Sequence, residues 1–215
     1  KYSVLHVNHG IRPESEEEEQ FVVRSMKEAG IDEVVVEKFD VPSISRQMGV
    51  SIEMGARFCR HEALERTRER LHADKIALAH HGNDQAEELL LRLFRGSSLE
   101  GFEGMRPLEK NRRIIRPLLC LSKQEILSYL EDNGLSCVED SSNSMPCFQR
   151  NRVRLELIPL VEDIFKRPVV RLLNRFTDIA AQENDYWEKE ITKSWEEICV
   201  EETKGKISID VRKFA

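Results

Sequence analysis

KIALAHHGNDQAEELLLRLFR, residues 75–95, contains a change of hydrophobic period. The first six residues, KIALAH, form a short apolar run of the length and composition of a buried strand. Past Gly82 the period lengthens to that of a helix, from about Asp84 to Phe94. Ala86, Leu89, Leu90 and Leu93 fall on one face and are expected to be buried. Asp84, Glu87, Glu88 and Leu91 follow one another at i, i+3, i+4 and i+7, so the carboxylates share the other face. Acids in the first turns are favoured by the positive end of the helix dipole. His80 and His81 stand at the join, where the strand ends.

The same alternation runs outward from this stretch. SVLHVNH (3–9) is an apolar run closed by Gly10 and Pro13 and reads as a strand. Ser15 with Glu18 has capping-box spacing and Gly30 is a natural stop, which predicts a helix over 16–29. EVVVEKF (33–39) is β-branched and reads as a second strand. Residues 51–72 read as a helix with Ile52, Ala56, Cys59, Ala63, Thr67 and Leu71 on its apolar stripe. Ile114–Leu118 is a short apolar piece. Ser122 and Glu125 cap a helix that stops before Gly134, and 136–139 is read as a last strand. Such alternation predicts an α/β fold, a Rossmann-like parallel sheet with helices on both faces, over residues 1–145. Residues 146–200 are charged and helical, with breaks expected at Pro159 and Pro168. This is a helical extension, and 206–215 reads as the start of a linker toward a further domain.

With 215 residues, 40% hydrophobic and 33% charged, the chain can form one sizeable core with an appendage. It has no apolar run of the ~20 residues needed to span a bilayer and no signal-peptide pattern, so a soluble, cytoplasmic protein is expected. None of the five cysteines forms a C-x-x-C pair, which argues against a zinc ribbon or a thioredoxin-like site. The net charge of -6 argues against a general nucleic-acid binder. The charge is segregated, however. Acid is concentrated at Glu16–Glu19, and base at Arg112, Arg113 and Arg116 and again at Arg150, Arg152 and Arg154.

Ligands of open α/β sheets bind beyond the carboxyl ends of the strands, where His6 and His9 and then His80 and His81 are expected. The carboxylates Asp84 and Glu87 suit a hydrated Mg²⁺ shared with substrate phosphates. The plainer alternative is that they only cap the helix. A zinc site from His80, His81 and Asp84 is disfavoured, because adjacent strand residues point to opposite faces. Arg57 and Arg60, three apart on one helix face, can clamp a phosphate or a carboxylate, or else form a solvated basic face. Arg150, Asn151, Arg152 and Arg154 can hold nucleic-acid phosphates without reading sequence. The competing view is that they are exposed cations at a helix start, or that one pairs with a core acid such as Glu139 or Asp140.

Five motifs carry a resemblance. HVNHGIR (6–12), EMGARFCRHEAL (53–64), LAHHGNDQAEELLLRLFRGSSLEGFEGM (78–105), IIRPLL (114–119) and EDSSN followed by RNRVR (139–154) resemble, in order and spacing, those of the tRNA(Ile)-lysidine synthase family of N-type ATP pyrophosphatases. The resemblance implies an adenine nucleotide alpha-hydrolase-like fold and a cytoplasmic enzyme using ATP and Mg²⁺. It also implies tRNA(Ile) and free lysine as substrates. The wobble cytidine would be adenylated and the lysine ε-amine would displace AMP. Carried over by motif position, Asp84, Arg57 and Arg60 are the catalytic candidates. His6, Asn8, His80 and Gln85 are candidates for ATP, Asp84 and Glu87 for the metal, and Arg150, Arg152 and Arg154 for tRNA. A carboxylate would hold the lysine ammonium, and a homodimer is the assembly considered. The chain departs from the family's D-D-Q-x-E-T at Asn83 and Glu88. The family's S-G-G-x-D-S phosphate loop is not in this sequence and is expected upstream of Lys1. With its C-terminal domains also lacking, the chain alone is expected to be inactive. Two alternatives are a tRNA thiolation enzyme, disfavoured by the lack of C-x-x-C, and a non-catalytic nucleotide- or tRNA-binding module.

Overall fold

The computed structural model describes residues 2–11, 14–138, 149–203 and 205–213. In chain order the regular elements are β1 (Val4–Asn8), α1 (Ser15–Glu28), β2 (Val34–Lys38), α2 (Val41–Met48), α3 (Ile52–Arg70), β3 (Ile76–Ala77), α4 (Gly82–Phe94), β4 (Leu108–Glu109) and β5 (Ile114–Ile115). These are followed by α5 (Lys123–Asp132), α6 (Gln149–Arg152), a π turn (Val153–Leu157), α7 (Ile158–Phe165), α8 (Val169–Ile198), β6 (Cys199–Thr203) and β7 (Lys206–Ile209). The chain folds as two compact units, Lys1–Ala77 with Glu109–Ile115, and Leu78–Leu108 with Arg116–Ala215.

The first unit has the predicted α/β character. β1 and β2 pair in parallel from Val4 opposite Val34 to Asn8 opposite Lys38. β3 and β5 also pair in parallel, with Ile76 opposite Ile114. Parallel neighbours need a crossover, and α1 supplies it between β1 and β2, packing on both. The capping box expected at Ser15 does not form. Glu14 takes the N-cap position, and Ser15 lies buried in the first turn, its carbonyl accepting from the Asn8 amide. Helix α2 was not expected, although its signals are present. Asp40 caps it by accepting from the Ser43 N–H at 3.0 Å, Pro42 stands in its first turn, and Gly49 ends it at a φ of +67°. In α3, capped by Ser51, the buried stripe is Gly55, Cys59, Ala63 and Thr67, while Ile52 is exposed. A Cβ on Gly55 would lie 2.0 Å from Ser45 Oγ, so the small residue lets α2 approach α3.

In the second unit Ala86 of α4 forms a core with Val153 and Ile158, against which Leu90, Leu91, Leu157, Val170 and Leu173 pack. Leu93, expected in the buried face, is exposed, and Glu87, expected on the solvated face, is buried. Ser122 and Glu125 form the predicted reciprocal cap of α5. Pro159 does not break the helical path, because it stands in the first turn of α7 directly after the π turn. A prolyl nitrogen cannot donate to the ladder, and there the path has already departed from regular α geometry. Pro168 does act as a boundary, as the N-cap of α8. β6 and β7 form an antiparallel hairpin, of which only the β7 region stood out in the sequence. The strand expected at 136–139 does not appear at 136–138, and Glu139 lies outside the described residues.

Candidate functional site

The first unit carries His6, Asn8, His9, Arg57 and Arg60. Asn8 ends β1 and is 5% exposed. Its amide nitrogen donates to the Ser15 carbonyl at 3.2 Å and to Glu19 Oε2 at 2.9 Å, and its oxygen accepts from the Gly10 N–H at 3.0 Å. Both ends of the side chain are therefore engaged in closing the β1–α1 turn, which does not suit the ATP contact expected of it. Arg57 and Arg60 are exposed on α3. Burial pushes the His9 imidazole below its usual range, and the Arg60 charge and His6 add to this. His61, which the sequence reading did not single out, is lowered by burial and then by Arg57, Arg60 and Arg112, with Glu109 opposing. His6 is lowered by burial against the pull of Glu19 and Glu18. Neutral imidazoles among guanidinium groups make an electropositive surface that favours an anion.

The second unit carries the remaining candidates, and α4 organises them. Asp84 Oδ2 accepts from the His81 N–H at 3.0 Å, so this acid does cap the helix. Its Oδ1 lies 3.3 Å from an Arg154 Nη, and its side chain is 15% exposed. Glu87, one turn on, is 1% exposed and is the largest fully buried side chain among the described residues. Its Oε1 accepts from Arg154 Nε at 2.6 Å, and its Oε2 accepts from Arg150 Nε at 3.0 Å and from Arg154 at 3.1 Å. Arg150 also donates to the Asp84 carbonyl at 3.3 Å. Thus two of the three arginines expected to meet tRNA are bound to the acid expected to hold a metal. Arg154 is held more firmly protonated by its hydrogen bond to Glu87, against the effect of burial. Arg152 points elsewhere. It is 65% exposed and pairs with Glu156 on the next turn at 2.9 Å.

A Mg²⁺ ion needs open carboxylate oxygens. Both oxygens of Glu87 already accept from guanidinium groups, and both oxygens of Asp84 have donors within 3.3 Å. No group of three or more His, Cys, Asp or Glu among the described residues is placed to hold a metal ion. Glu87, closed to water, therefore does not fit the expected metal role, while Asp84, with one bond to each oxygen and its side chain 15% exposed, keeps room for a cation.

Gln85, expected at ATP, is 5% exposed and committed inward. Its nitrogen donates to the Met105 carbonyl at 3.1 Å and to Thr177 Oγ1 at 3.3 Å, and its oxygen accepts from the Met105 N–H at 2.7 Å. It ties the 97–106 loop and α8 to α4. Asn83, where the family has Asp, accepts from the N–H of Lys123 at the start of α5. His80 Nδ1 accepts from Arg116 Nε at 3.2 Å, which places the proton of a neutral ring on Nε2. Arg116, 7% exposed, also donates to the Arg106 carbonyl. A buried arginine in IIRPLL, flanked by apolar residues, was the available signal for this contact. The EDSSN motif and the proposed partners Glu139 and Asp140 lie outside the described residues, as does Arg12.

The chain resembles several curated proteins. A protein described as tRNA(Ile)-lysidine synthase from Caldanaerobacter subterraneus subsp. tengcongensis is 37% identical over 213 residues, covering 98% of this chain and 44% of that protein. One of the same description from Borrelia garinii subsp. bavariensis is 42% identical over 175 residues, covering 81% of this chain and 38% of its own length. The chain therefore spans less than half the length of these relatives. Among solved structures, the U34-tRNA thiolase NcsA from Methanococcus maripaludis, with its [4Fe-4S] cluster, superposes with a TM-score of 0.64 at 19% identity. That match covers 81% of this chain and 60% of the thiolase, and it bears on the fold alone. The family model described as the PP-loop domain matches residues 1–161, three-quarters of the sequence and all of the elements that carry the candidate residues, and the chain belongs to that family.

Proposed function

We propose that this chain is the PP-loop part of a tRNA(Ile)-lysidine synthase. The observation that carries the reading is the identity, over nearly the whole chain, to proteins of that description. The motif order HVNHGIR, ARFCR, NDQAEE, RNRVR supports it. In the proposed reaction the wobble cytosine carbonyl oxygen attacks the α-phosphorus of ATP, forming an O–P bond as pyrophosphate leaves. The lysine ε-amine then bonds to the ring carbon that bears this oxygen, AMP leaves, and the amine gives up a proton. The electropositive surface around Arg57, Arg60 and His61 suits the triphosphate or the transferred phosphoryl group. Asp84, the partly exposed acid at the head of α4, suits the lysine ammonium, while Arg154 sets its position. Mg²⁺ would accompany ATP, and of the two acids expected for it the buried Glu87 does not supply a ligand.

The test is product analysis with the complete gene product, ATP, lysine and a tRNA(Ile) transcript. AMP and pyrophosphate released in equal amounts, dependent on both lysine and a wobble cytidine, support the reading. Release that needs a sulfur donor instead of lysine would point to thiolation. Binding without any release would point to a binding module.

A further inference from the structure

Charged residues are rarely fully buried unless paired, and Glu87 is paired twice. Arg150 and Arg154 stand four residues apart on α6 and the π turn that continues it, and both reach the same carboxylate. Arg154 then extends to Asp84 Oδ1, and Arg150 to the Asp84 carbonyl. One buried anion thus fixes two cations, and the cations fix the acid that heads α4.

We propose, resting on the function above, that Glu87 is a positioning residue whose buried carboxylate seats Arg150 and Arg154 so that they hold Asp84 in place, and that Arg152 is the cation of this run that meets tRNA phosphate. Drawing Arg150 or Arg154 away to a phosphate would strip one of its two guanidinium partners from a carboxylate closed to water, so these two are poor backbone clamps. Arg152 meets no such obstacle. Its partner Glu156 is half exposed, and such a surface pair yields readily to a phosphate. Glu87 in turn has no open oxygen with which to bind a metal or an amine.

The experiment uses the complete gene product carrying Glu87→Gln, Arg154→Gln, the double variant, and Arg152→Gln. Thermal unfolding reads the anchor whether or not the protein turns over. The double variant is expected to be no less stable than the weaker single variant, and fully additive losses would overturn the proposal. In lysidine formation, Glu87→Gln should lower kcat/KM for lysine at least tenfold, because Asp84 loses its seat, while the Mg²⁺ requirement moves less than twofold. A tenfold rise in the Mg²⁺ requirement would mark Glu87 as a metal ligand and overturn it, as would an unchanged kcat/KM for lysine. Arg152→Gln should flatten the salt dependence of tRNA affinity, and an unchanged slope would overturn the phosphate assignment. Should Glu87→Gln not fold, Glu87→Asp, which keeps the charge but withdraws it by one methylene, carries the same arms. Lack of activity in the unaltered protein would refute the function while leaving the unfolding and salt arms readable.

Discussion

Replacing Glu87 with glutamine keeps the shape of the side chain and removes its charge. In the native protein this carboxylate accepts three hydrogen bonds from two guanidinium groups at 2.6, 3.0 and 3.1 Å, while itself 1% exposed. Breaking a buried ion pair from one side costs about 3–5 kcal/mol. Two features place the cost near the lower end. Arg150 and Arg154 are 30% and 26% exposed, so each can turn part of its charge to water. The amide oxygen can still accept one of the bonds, although the amide nitrogen then faces donors and is left without an acceptor. A loss of about 3 kcal/mol in a chain of this size lowers the melting temperature by roughly 6–12 °C. Differential scanning calorimetry of the purified variant beside the unaltered protein measures this directly. A fall of less than about 2 °C would show that the cluster stabilises the fold by under about 1 kcal/mol, and the reasoning from burial would fail.

Further outcomes follow from the same geometry. Asp84→Asn should keep the fold, because an amide oxygen can still accept from the His81 N–H, but should slow lysidine formation by about two orders of magnitude, read in single turnovers at saturating lysine. Arg152→Ala should reduce the slope of log affinity for tRNA against log salt by about 1, whereas Arg150→Ala should lower thermal stability and leave that slope unchanged. Gly104→Ala should destabilise by roughly 1–3 kcal/mol, since Gly104 has a φ of +64° and a Cβ there would lie 2.7 Å from Gln85 Oε1. Because His6, His9 and His61 are all lowered, the unfolded chain binds protons that the folded chain does not. Stability should therefore rise with pH toward about 6.5 and fall on acidification below it, and His61→Gln should shrink the difference in melting temperature between pH 7.5 and 5.5.

Apolar and β-branched runs made the strands β1 and β2 legible, hydrophobic period the helices α3 and α4, and end signals the helices α1 and α5, although the Ser15 cap read for α1 does not form. Helix α2 escaped notice although Asp40, Pro42 and Gly49 mark its ends, because its eight residues are too few to show a clear period. The burial of Glu87 was not legible at all. A glutamate on a helix is ordinarily solvated, and what overrides this lies some 60 residues away in Arg150 and Arg154. The spacing of those two arginines, one helical turn apart, was visible, but the position of their common partner was not. Asn8 and Gln85 were read as ATP contacts by their positions in the motifs HVNHGIR and NDQAEE. In the fold each instead satisfies backbone groups of a neighbouring turn, and that demand depends on where Gly10 and Met105 come to lie.

Incorporation of labelled lysine into tRNA, with the modified nucleoside then located by digestion and mass analysis, tests the account most directly. Given ATP and a tRNA(Ile) transcript, the complete gene product should place one lysine on the wobble cytidine and none on a transcript with uridine there, and Asp84→Asn should lose that incorporation while still melting as a folded protein. Label absent from the wobble position in the presence of ATP, lysine and bound tRNA would contradict the assignment.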